Sequence, residues 1–510
     1  MAMEKESELI NRDNVNEGVF ELSSPASPIP ISHSPEEYRK LIWKIDLHVL
    51  PALFSLWIVS VVDRGNIGSA NIFGIQEDLH MKGNDFNIAL LIVVICFIVF
   101  DIPCNALLKA STPQIVLTGE IFLLGIVAIG EGLVTSVAGF YAMRFFVGLF
   151  EAGLIPGIFD SHQSSEDTNT IIGSVYILSQ YYPRYEMQWR LGMLMVGNAL
   201  GTAFSGLLAF AIAGINNDNG YNGWRWIFII EGCMTVAVAV IAYPFMPTWP
   251  HQAKWMSDDE KTLLVSAIKK GVVEPKGEKL DMHRLIEVLK DWKIYIFGII
   301  LAFTIMTSAS VGIFIPTIVS GISAHQDPRH VQVLCIPVFV AAAVSSFAFS
   351  FLSDYFKHRT GFAIFGYVMI IAGAIVLLNQ EHVHAHTRYG AVYLLACGIY
   401  IAVPIIWTIL PNNVAGTYKT GIAIAIQVSI GNLGGVASTL CFASTKAPYF
   451  VLGYTTIVWM TCCAAGLLFI CMFFLWIENR AREAGKRDYL LERENADKLG
   501  DRHPSFRYTY

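Results

Sequence analysis

Long apolar blocks, almost free of charge, dominate this chain. About twelve such blocks lie along it, each about twenty residues long, which is enough for a helix to cross a hydrocarbon core of roughly 30 Å. They run over 46–69, 87–108, 115–134, 138–157, 190–214, 224–246, 294–320, 331–352, 361–379, 389–410, 420–441 and 453–476. Because each block is continuously apolar rather than alternating, the pattern predicts helices and not strands.

Composition agrees with a membrane protein. The 510 residues are 54% hydrophobic and only 15% charged, whereas a soluble protein carries roughly 25% charged residues. The nine cysteines fall almost entirely inside the apolar blocks and lack disulfide or zinc spacing, so we expect no metal site. We therefore predict an all-α membrane protein, embedded in the lipid bilayer, with no nucleic-acid partner and no bound cofactor.

The blocks fall into two groups of six. Residues 1–44 are polar and rich in Ser, Pro and Glu, which is typical of a disordered tail. We expect a first six-helix bundle over 45–246, a central loop over 247–293, a second bundle over 294–476, and a C-terminal tail over 477–510. Two six-helix bundles joined by one charged loop are typical of transporters that bind substrate near the membrane midplane and rock around it.

The basic residues predict the orientation. Most of the 35 Lys and Arg lie in the two tails, the central loop and the loops on that same side of the membrane. The loops on the other side hold only Lys82, Arg225, Arg329, Arg388 and Lys446. Because cytosolic segments carry the excess of Lys and Arg, both termini and the central loop are predicted to be cytosolic.

The first half carries charges deep in its apolar blocks. Asp63 and Arg64 lie in the first block, and Arg144 and Glu151 in the fourth. An ionisable residue inside a spanning helix costs about 2.5–3.5 kcal/mol on insertion scales, so it needs a functional or structural reason. The second half has no ionisable residue in a block interior. We therefore expect the residues that couple transport to an ion to lie in the first half.

Arg144, Gly148 and Glu151 share one helical face because they are spaced i, i+4 and i+7. Gly148 leaves a gap there for a ligand or another helix. An arginine fork pairs bidentately with a carboxylate, and a desolvated Glu takes up a proton readily. This face is suited to binding an anion together with a proton. The alternative is a structural network that pins the first and fourth helices together.

Other polar residues in the blocks have more than one interpretation. Three further acids of the first half lie near helix ends, where we expect them to reach water: Asp101, Glu120 and Glu131. The role of Glu231, in the sixth block, is left open between structure and function. Four amides either line a substrate cavity or bond helices to one another: Asn66, Asn198, Gln427 and Asn432. The glycine-rich run 430–438 is expected to serve close helix packing.

Five motifs carry a family resemblance: VDRGNIGSANIFGI, FNIALLIVVICFIVFDIPCNALLK, RFFVGLFEAGLIPG, YYPRYEMQWR and NGWRWIFIIEG. In this order they resemble the fungal allantoate permease family, which belongs to the anion:cation symporters of the major facilitator superfamily. LSDYFKHRTG, between blocks eight and nine, is similar to the superfamily's gate loop. The resemblance covers roughly residues 40–480. It implies the major facilitator fold and proton-coupled uptake of small organic anions such as allantoate, nicotinate, pantothenate or biotin.

The resemblance also implies roles for single residues. In more distant members, including vesicular glutamate transporters, sialin and a bacterial galactonate symporter, two arginines contact the anion and a Glu couples protons. These positions match Arg64, Arg144 and Glu151, and a protonatable Asp of the galactonate symporter matches Asp63. The glutamate carriers have an Arg in the seventh span that this chain lacks. A monocarboxylate is therefore expected rather than a dianion.

One segment departs from the family pattern. Residues 158–173, IFDSHQSSEDTNTIIG, separate GLIPG from SVYILSQYYPR, two segments that the resemblance places in one continuous helix. The segment is either a loop outside the membrane or a translated intron, since its codons permit fungal splice signals and its removal keeps the frame. We favour the intron, which cDNA would decide, and expect the chain without these residues to transport better.

Together these observations predict a proton-driven importer of a small organic anion, such as a vitamin or a nitrogen-source carboxylate. We expect a monomer, in the plasma membrane, with Asp63 and Glu151 coupling protons and the arginines and the four amides binding substrate. The first alternative is a nutrient sensor on a transporter scaffold, although the short tails disfavour it. A membrane-embedded enzyme is disfavoured because the sequence has no metal cluster, nucleophile elbow or phosphate loop.

Overall fold

The structure is a computed structural model of the whole chain. It describes residues 35–152, 181–182, 187–212, 222–270, 288–322, 328–356, 358–415, 417–442, 450–490, 500–504 and 506–509. The chain divides into a short first unit, residues 1–41, and a second unit, residues 42–510, which holds nearly all of the described helices. The segment 158–173, with the loop and intron hypotheses attached to it, lies outside the described residues, as does most of the predicted N-terminal tail.

Twelve long helices follow one another along the described residues. They are α1 Pro35–Ile72, α2 Asp85–Ala110, α3 Pro113–Leu133, α4 Val137–Glu151, α5 Met187–Ile212, α6 Gly223–Ala242, α7 Trp292–Ile322, α8 Pro328–Phe356, α9 Arg359–Leu378, α10 Ala385–Asn412, α11 Thr417–Cys441 and α12 Val451–Glu483. Shorter helices at Ile75–Asp78 and Asp258–Lys270 lie between them. The described part of the chain contains no strand.

The helices have the length and composition that a bilayer requires. Ten of those described are long and apolar enough to span a membrane. The other two are α2, whose apolar stretch is Asp85–Phe100, and α4, which has 15 described residues. The predicted class, an all-α membrane protein with about twelve spanning helices, is confirmed.

Glycines bring neighbouring helices into backbone contact. A Cβ added to Gly232 of α6 would lie 2.7 Å from the carbonyl oxygen of Gly125 in α3. A Cβ added to Gly366 of α9 would lie equally close to the carbonyl oxygen of Gly398 in α10. Small residues of this kind allow membrane helices to pack closely, because lipid provides little hydrophobic drive for association.

The glycine-rich run of α11 packs as the sequence predicts. A Cβ on Gly434 would collide with the carbonyl oxygen of Ala302 in α7, and one on Gly431 would lie 2.8 Å from Leu301 of the same helix. Gly435 faces Val94 of α2, in the other half. The prediction that this run serves helix packing is confirmed.

Besides contacts along α5 and α8, the two halves meet at the end of the molecule where α1 ends and α2 begins. Asn87, in α2, donates hydrogen bonds to the carbonyl oxygens of Thr439 (2.7 Å) and Phe442 (3.2 Å) at the end of α11. Gln332, in α8, donates to the hydroxyl of Ser69 in α1 at 3.1 Å. The halves are therefore held together at this end by directional polar contacts.

At the other end, the last described residues return to the second half. We call residues 500–504 and 506–509 the C-terminal segment. The carboxylate of Asp501 is 2.5 Å from Lys293 at the start of α7 and 2.7 Å from Lys419 near the start of α11. The main chain of the segment is also bound by side chains of the helix ends: Asn479 exchanges two hydrogen bonds with Tyr508, and Asn413 does so with Thr509.

Candidate functional site

Arg64 and Glu151 form an ion pair between α1 and α4. Arg64 Nε donates to Glu151 Oε1 at 2.6 Å, and Arg64 Nη2 lies 2.5 Å from the same oxygen. Ser60, one turn before Arg64, donates to that oxygen at 3.4 Å. The Glu151 side chain is 3% exposed, whereas 41% of the Arg64 side chain is exposed. Part of the Arg64 side chain therefore remains accessible while it is paired with Glu151.

Arg144 pairs with a different carboxylate. Its Nη2 donates to Glu131 Oε2 at 3.0 Å, and its Nε lies 3.0 Å from Glu131 Oε1. The guanidinium also lies over the rings of Phe140 (5.0 Å) and Phe228 (5.6 Å). Both partners are almost completely buried, and one hydrogen bond and one close ion-pair contact join them, so in this arrangement Arg144 is paired with Glu131 inside the protein.

Two expectations about the acids near helix ends are wrong. Glu131 is only 2% exposed and holds Arg144, and Glu120 is also buried, so neither reaches water. Interhelical packing encloses them, because α3 lies against α6 along the glycine contact at Gly125. The side chain of Asp101, the third of these acids, lies outside the described residues.

Gly148 does not leave an open gap for a ligand. A Cβ added there would lie 2.7 Å from both the carbonyl oxygen of Val93 and the Cβ of Cys96, on α2. Of the two possibilities that the sequence allows, a ligand or another helix, the neighbouring helix α2 occupies the space. The glycine thus sets how closely α4 approaches α2.

Asp63 and Asn66 lie on α1 and contact α6 and α5 rather than α4. Thr235, on α6, donates to Asp63 Oδ2 at 2.9 Å. Ser205, on α5, donates to Asn66 Oδ1 at 3.1 Å. Glu231 is buried one turn before Thr235 on α6. The charges of Glu151, Glu131 and Arg144 act on Asp63. Asp63 therefore interacts electrostatically with both arginine–acid pairs.

The remaining predicted substrate residues are spread more widely. Asn198 is half-buried on α5, two turns before Ser205. Gln427, on α11, is buried and donates to the carbonyl oxygen of Ile406 in α10 at 3.2 Å. Asn432 is half-buried on α11, and its amide nitrogen lacks a hydrogen-bond partner within the described part of the chain. Gln427 thus serves contact between helices, whereas Asn432 keeps a free donor.

Sequence reasoning missed several members of this cluster. Ser60 and Thr235 each donate to one of the predicted coupling acids, and Glu131 holds Arg144. Thr235 carries a detectable signal, because it lies four residues after Glu231 and so on the same face of α6. The pairing of Glu131 with Arg144 carries none, since the two lie on different helices and nothing in their spacing relates them.

Arg225 is a further buried arginine, but its contacts are structural. It donates from Nε and Nη2 to Asp78 Oδ2, at 3.2 and 3.1 Å, and from Nη1 to the carbonyl oxygens of Gly132 and Val134 at the end of α3. These carbonyls have no intrahelical partner, so Arg225 caps α3 and fixes the start of α6 against it.

A family model described as "Major Facilitator Superfamily" matches residues 169–439, more than half of the chain. The chain belongs to the Major Facilitator Superfamily. Fungal transporters of this superfamily are similar to it over almost their whole length. An uncharacterized transporter of Schizosaccharomyces pombe is 28% identical, covering 93% of this chain and 92% of the relative. The high-affinity nicotinic acid transporter of Saccharomyces cerevisiae is 25% identical, covering 94% and 86%.

A solved structure agrees with the superfamily fold. A bacterial homolog of the human lysosomal transporter Spinster is similar with a TM-score of 0.58 and 15% identity, covering 86% of this chain and 97% of that one. The family match, the fungal relatives and the spanning helices make the chain a multi-pass membrane transporter of the Major Facilitator Superfamily, whose cargo is a small molecule. The relatives are transporters, and none of those named here is an enzyme.

Proposed function

We propose that this Major Facilitator Superfamily protein is a proton-coupled symporter that imports a small organic anion. The observation that supports it most directly is the pairing of Arg64 with Glu151 inside the membrane region, with the arginine accessible and the acid buried. A fixed cation that contacts a titratable acid and remains partly accessible can exchange one anionic partner for another.

The mechanism follows from competition for Arg64. When Glu151 is ionised, it occupies the guanidinium and opposes a second carboxylate. When Glu151 accepts a proton, its pairing with Arg64 weakens, and the ligand carboxylate takes its place. Release of the proton to the other side restores the Arg64–Glu151 pair and expels the ligand. One anion and one proton are therefore carried together, because one protonated Glu151 frees Arg64 for one ligand carboxylate.

The expected cargo is a monocarboxylate. Arg64 is an accessible guanidinium, whereas Arg144 is occupied by Glu131, and one accessible cation balances one negative charge. Similarity to a nicotinic acid transporter makes nicotinate and related pyridine carboxylates the first compounds to test. The sequence motifs that resemble the allantoate permease family extend the list to allantoate, pantothenate and biotin.

Labelled-substrate uptake tests this proposal. Each candidate acid is offered to cells expressing the protein, at several external pH values and with or without a protonophore. We expect concentrative uptake of one acid, which increases as external pH falls and is abolished by the protonophore, and no uptake of its neutral amide. Equal transport of the acid and the amide would contradict an anion carrier.

The setting of the transporter is part of the same proposal. The distribution of Lys and Arg supports cytosolic termini, and import of an external nutrient fits the plasma membrane. We propose a monomer that works through the rocking of its own two halves. Epitope tags at each terminus, probed before and after permeabilisation, test the orientation.

The alternative is a nutrient sensor that binds the anion but does not transport it. The buried acids of the first half favour a transporter, because a sensor needs no proton carrier in the membrane interior. Uptake separates the two functions: a sensor binds the labelled acid without accumulating it.

A further inference from the structure

A second group of buried acids lies where α1 meets α5 and α6. Asp63 and Asn66 of α1 contact α6 and α5 through Thr235 and Ser205. Glu231 of α6 belongs to the same cluster, with Asn66 as its polar neighbour and Asp63 as the charged group acting on it. We call Asp63 and Glu231 the α1–α6 acid pair.

Glu231 is buried, and the charged group that acts on it is of the same sign. It is 1% exposed, and neither of its carboxyl oxygens has a hydrogen-bond partner in the described part of the chain. Oδ1 of Asp63 and the amide nitrogen of Asn66 are also buried and without partners there. An isolated ionised carboxylate is strongly disfavoured in an apolar interior, so such a group is neutralised by a proton or a cation.

Glu231 and Asp63 interact with different charged groups. The charged group that acts on Glu231 is Asp63, which repels a second negative charge. Asp63 in turn is acted on by Glu131, Glu151 and Arg144, the groups of the arginine pairs. Two like charges that share one site cannot both ionise readily, so they titrate as one unit. Asp63 therefore connects Glu231 electrostatically to the site where the anion is expected.

We propose that Glu231 and Asp63 share a transported proton and that its presence controls anion affinity at the arginine pairs. The proposal rests on the symport function above and adds Glu231 to it. With the proton bound, the pair carries less negative charge and the anion binds the nearby arginines more strongly. When the proton leaves a carboxyl oxygen of the pair for water, the new negative charge repels the anion and promotes its release.

Purified protein in liposomes with an internal pH dye provides the test. We expect wild-type protein to bring protons in when substrate is added outside. Glu231→Gln, which is isosteric and cannot release a proton, should lose this substrate-dependent acidification but keep exchange of labelled for unlabelled substrate, and that exchange should become less dependent on pH. Wild-type acidification by Glu231→Gln would overturn the proposal, because it would make Glu231 a permanently neutral structural group.

Glu120→Gln is the matched control. Glu120, on α3, is also buried with both oxygens unpartnered among the described residues, but no charged group acts on it. We expect this variant to acidify the liposomes as the wild type does. Loss of acidification in Glu120→Gln to the same extent as in Glu231→Gln would mean that removing any buried acid has this effect, and the proposal would fall.

A second variant keeps the test informative if Glu231→Gln folds poorly. Thr235→Val retains both acids and removes the hydroxyl that donates to Asp63. The carboxylate then loses a stabilising donor and holds its proton more firmly, so the pH of half-maximal uptake should move upward. An unchanged pH profile would contradict a titrating pair at this place.

The outcomes also separate this proposal from the symport function on which it rests. If wild-type protein moves substrate without protons, symport itself fails. If Glu151→Gln loses coupling while Glu231→Gln retains it, symport stands and only the acid pair fails. If substrate-driven uptake requires Na⁺ and is independent of pH, the pair holds a metal cation, and the proton proposal is wrong.

Discussion

At the scale of single residues, the negative charge of Glu151 can be removed with little change of side-chain shape. Glu151→Gln keeps the side-chain volume but leaves Arg64 without its anionic partner. Since the ligand then no longer competes with a carboxylate, we expect substrate binding and exchange to persist while proton-driven accumulation is lost. Uptake of labelled substrate against a gradient, at equal surface abundance, measures this. Wild-type accumulation in Glu151→Gln would exclude Glu151 from coupling.

Substitution of Arg144 is expected to lower both the stability of the protein and its rate of transport. Arg144→Ala leaves Glu131 buried without a cation, which costs about 3–5 kcal/mol for a broken buried pair. Arg144→Lys keeps the charge but loses the bidentate fork and the planar contact with Phe140 and Phe228, so we expect roughly tenfold weaker uptake. Thermal unfolding of purified protein and uptake by cells are compared for both variants.

A double variant separates the structural role of Arg144 from a role in binding. Arg144→Met combined with Glu131→Gln removes both charges, so it should recover most of the unfolding free energy that Arg144→Ala loses. If transport also recovers, Arg144 serves only to hold the helices. Recovery of stability without transport is the result expected if Arg144 contacts the anion, as the family resemblance implies.

The residues of the site were predictable only where one helix carries the information. The positions of Arg144, Gly148 and Glu151 on one face follow from helical spacing. Their partners do not: Arg144 binds Glu131 of α3, and Glu151 binds Arg64 of α1, because the packing of separate helices decides these contacts. The pairing of Glu131 with Arg144 therefore had no signal in the sequence, although the sequence shows Glu131 as an acid inside an apolar block.

At the scale of secondary-structure elements, the C-terminal segment ties together helix ends that are distant in sequence. Lys293 begins α7, Lys419 lies near the start of α11, and both are held by Asp501. Burial alone raises the pKa of the Asp501 carboxyl, but Lys293 and Lys419 outweigh it and hold this pKa below its usual range. The ionised form of Asp501 therefore stabilises the folded state.

The sign of the pH dependence follows from that lowered pKa. Asp501 contributes stability above the pKa of an unfolded Asp, about 3.9, and this contribution is lost as the pH falls through the lower folded pKa. Asp501→Asn should lower the unfolding temperature at neutral pH, and its difference from wild type should shrink below about pH 4. Thermal unfolding in detergent across this range measures it, and a difference that persists unchanged in acid would contradict the ion pairs.

Helix boundaries and helix contacts differ in how far the sequence determines them. The apolar block 453–476 predicts a spanning helix, and α12 covers it but continues to Glu483, because a helix does not end where the lipid does. The return of residues 500–509 to Lys293 and Lys419 had no basis in local pattern. It depends on three segments that only the folded second half brings together.

At the scale of the whole molecule, transport requires the two halves to separate at the end opposite the termini and then to close again. Gly68, in α1, lies at this contact, where an added Cβ would be 2.6 Å from the carbonyl oxygen of Ile313 in α7. Gly68→Ala should therefore prevent full closure and reduce uptake several-fold at unchanged surface abundance. Gly312→Ala is the matched control, since a Cβ at that neighbouring position would meet nothing within 4 Å.

The same variant should change which end of the transporter is open. Gln332 is buried at this contact, where it donates to Ser69. In a Gln332→Cys background, Gly68→Ala should increase labelling by an impermeant maleimide added from the side opposite the termini, because the halves no longer close over the cysteine. Labelling of the parent without Gln332→Cys gives the contribution of the native cysteines. Reduced uptake with no increase in labelling would mean that Gly68 supports the packing of α1 rather than closure of the halves. The halves would then have to close at another contact. The hydrogen bonds between Asn87 and the end of α11 are the next to test.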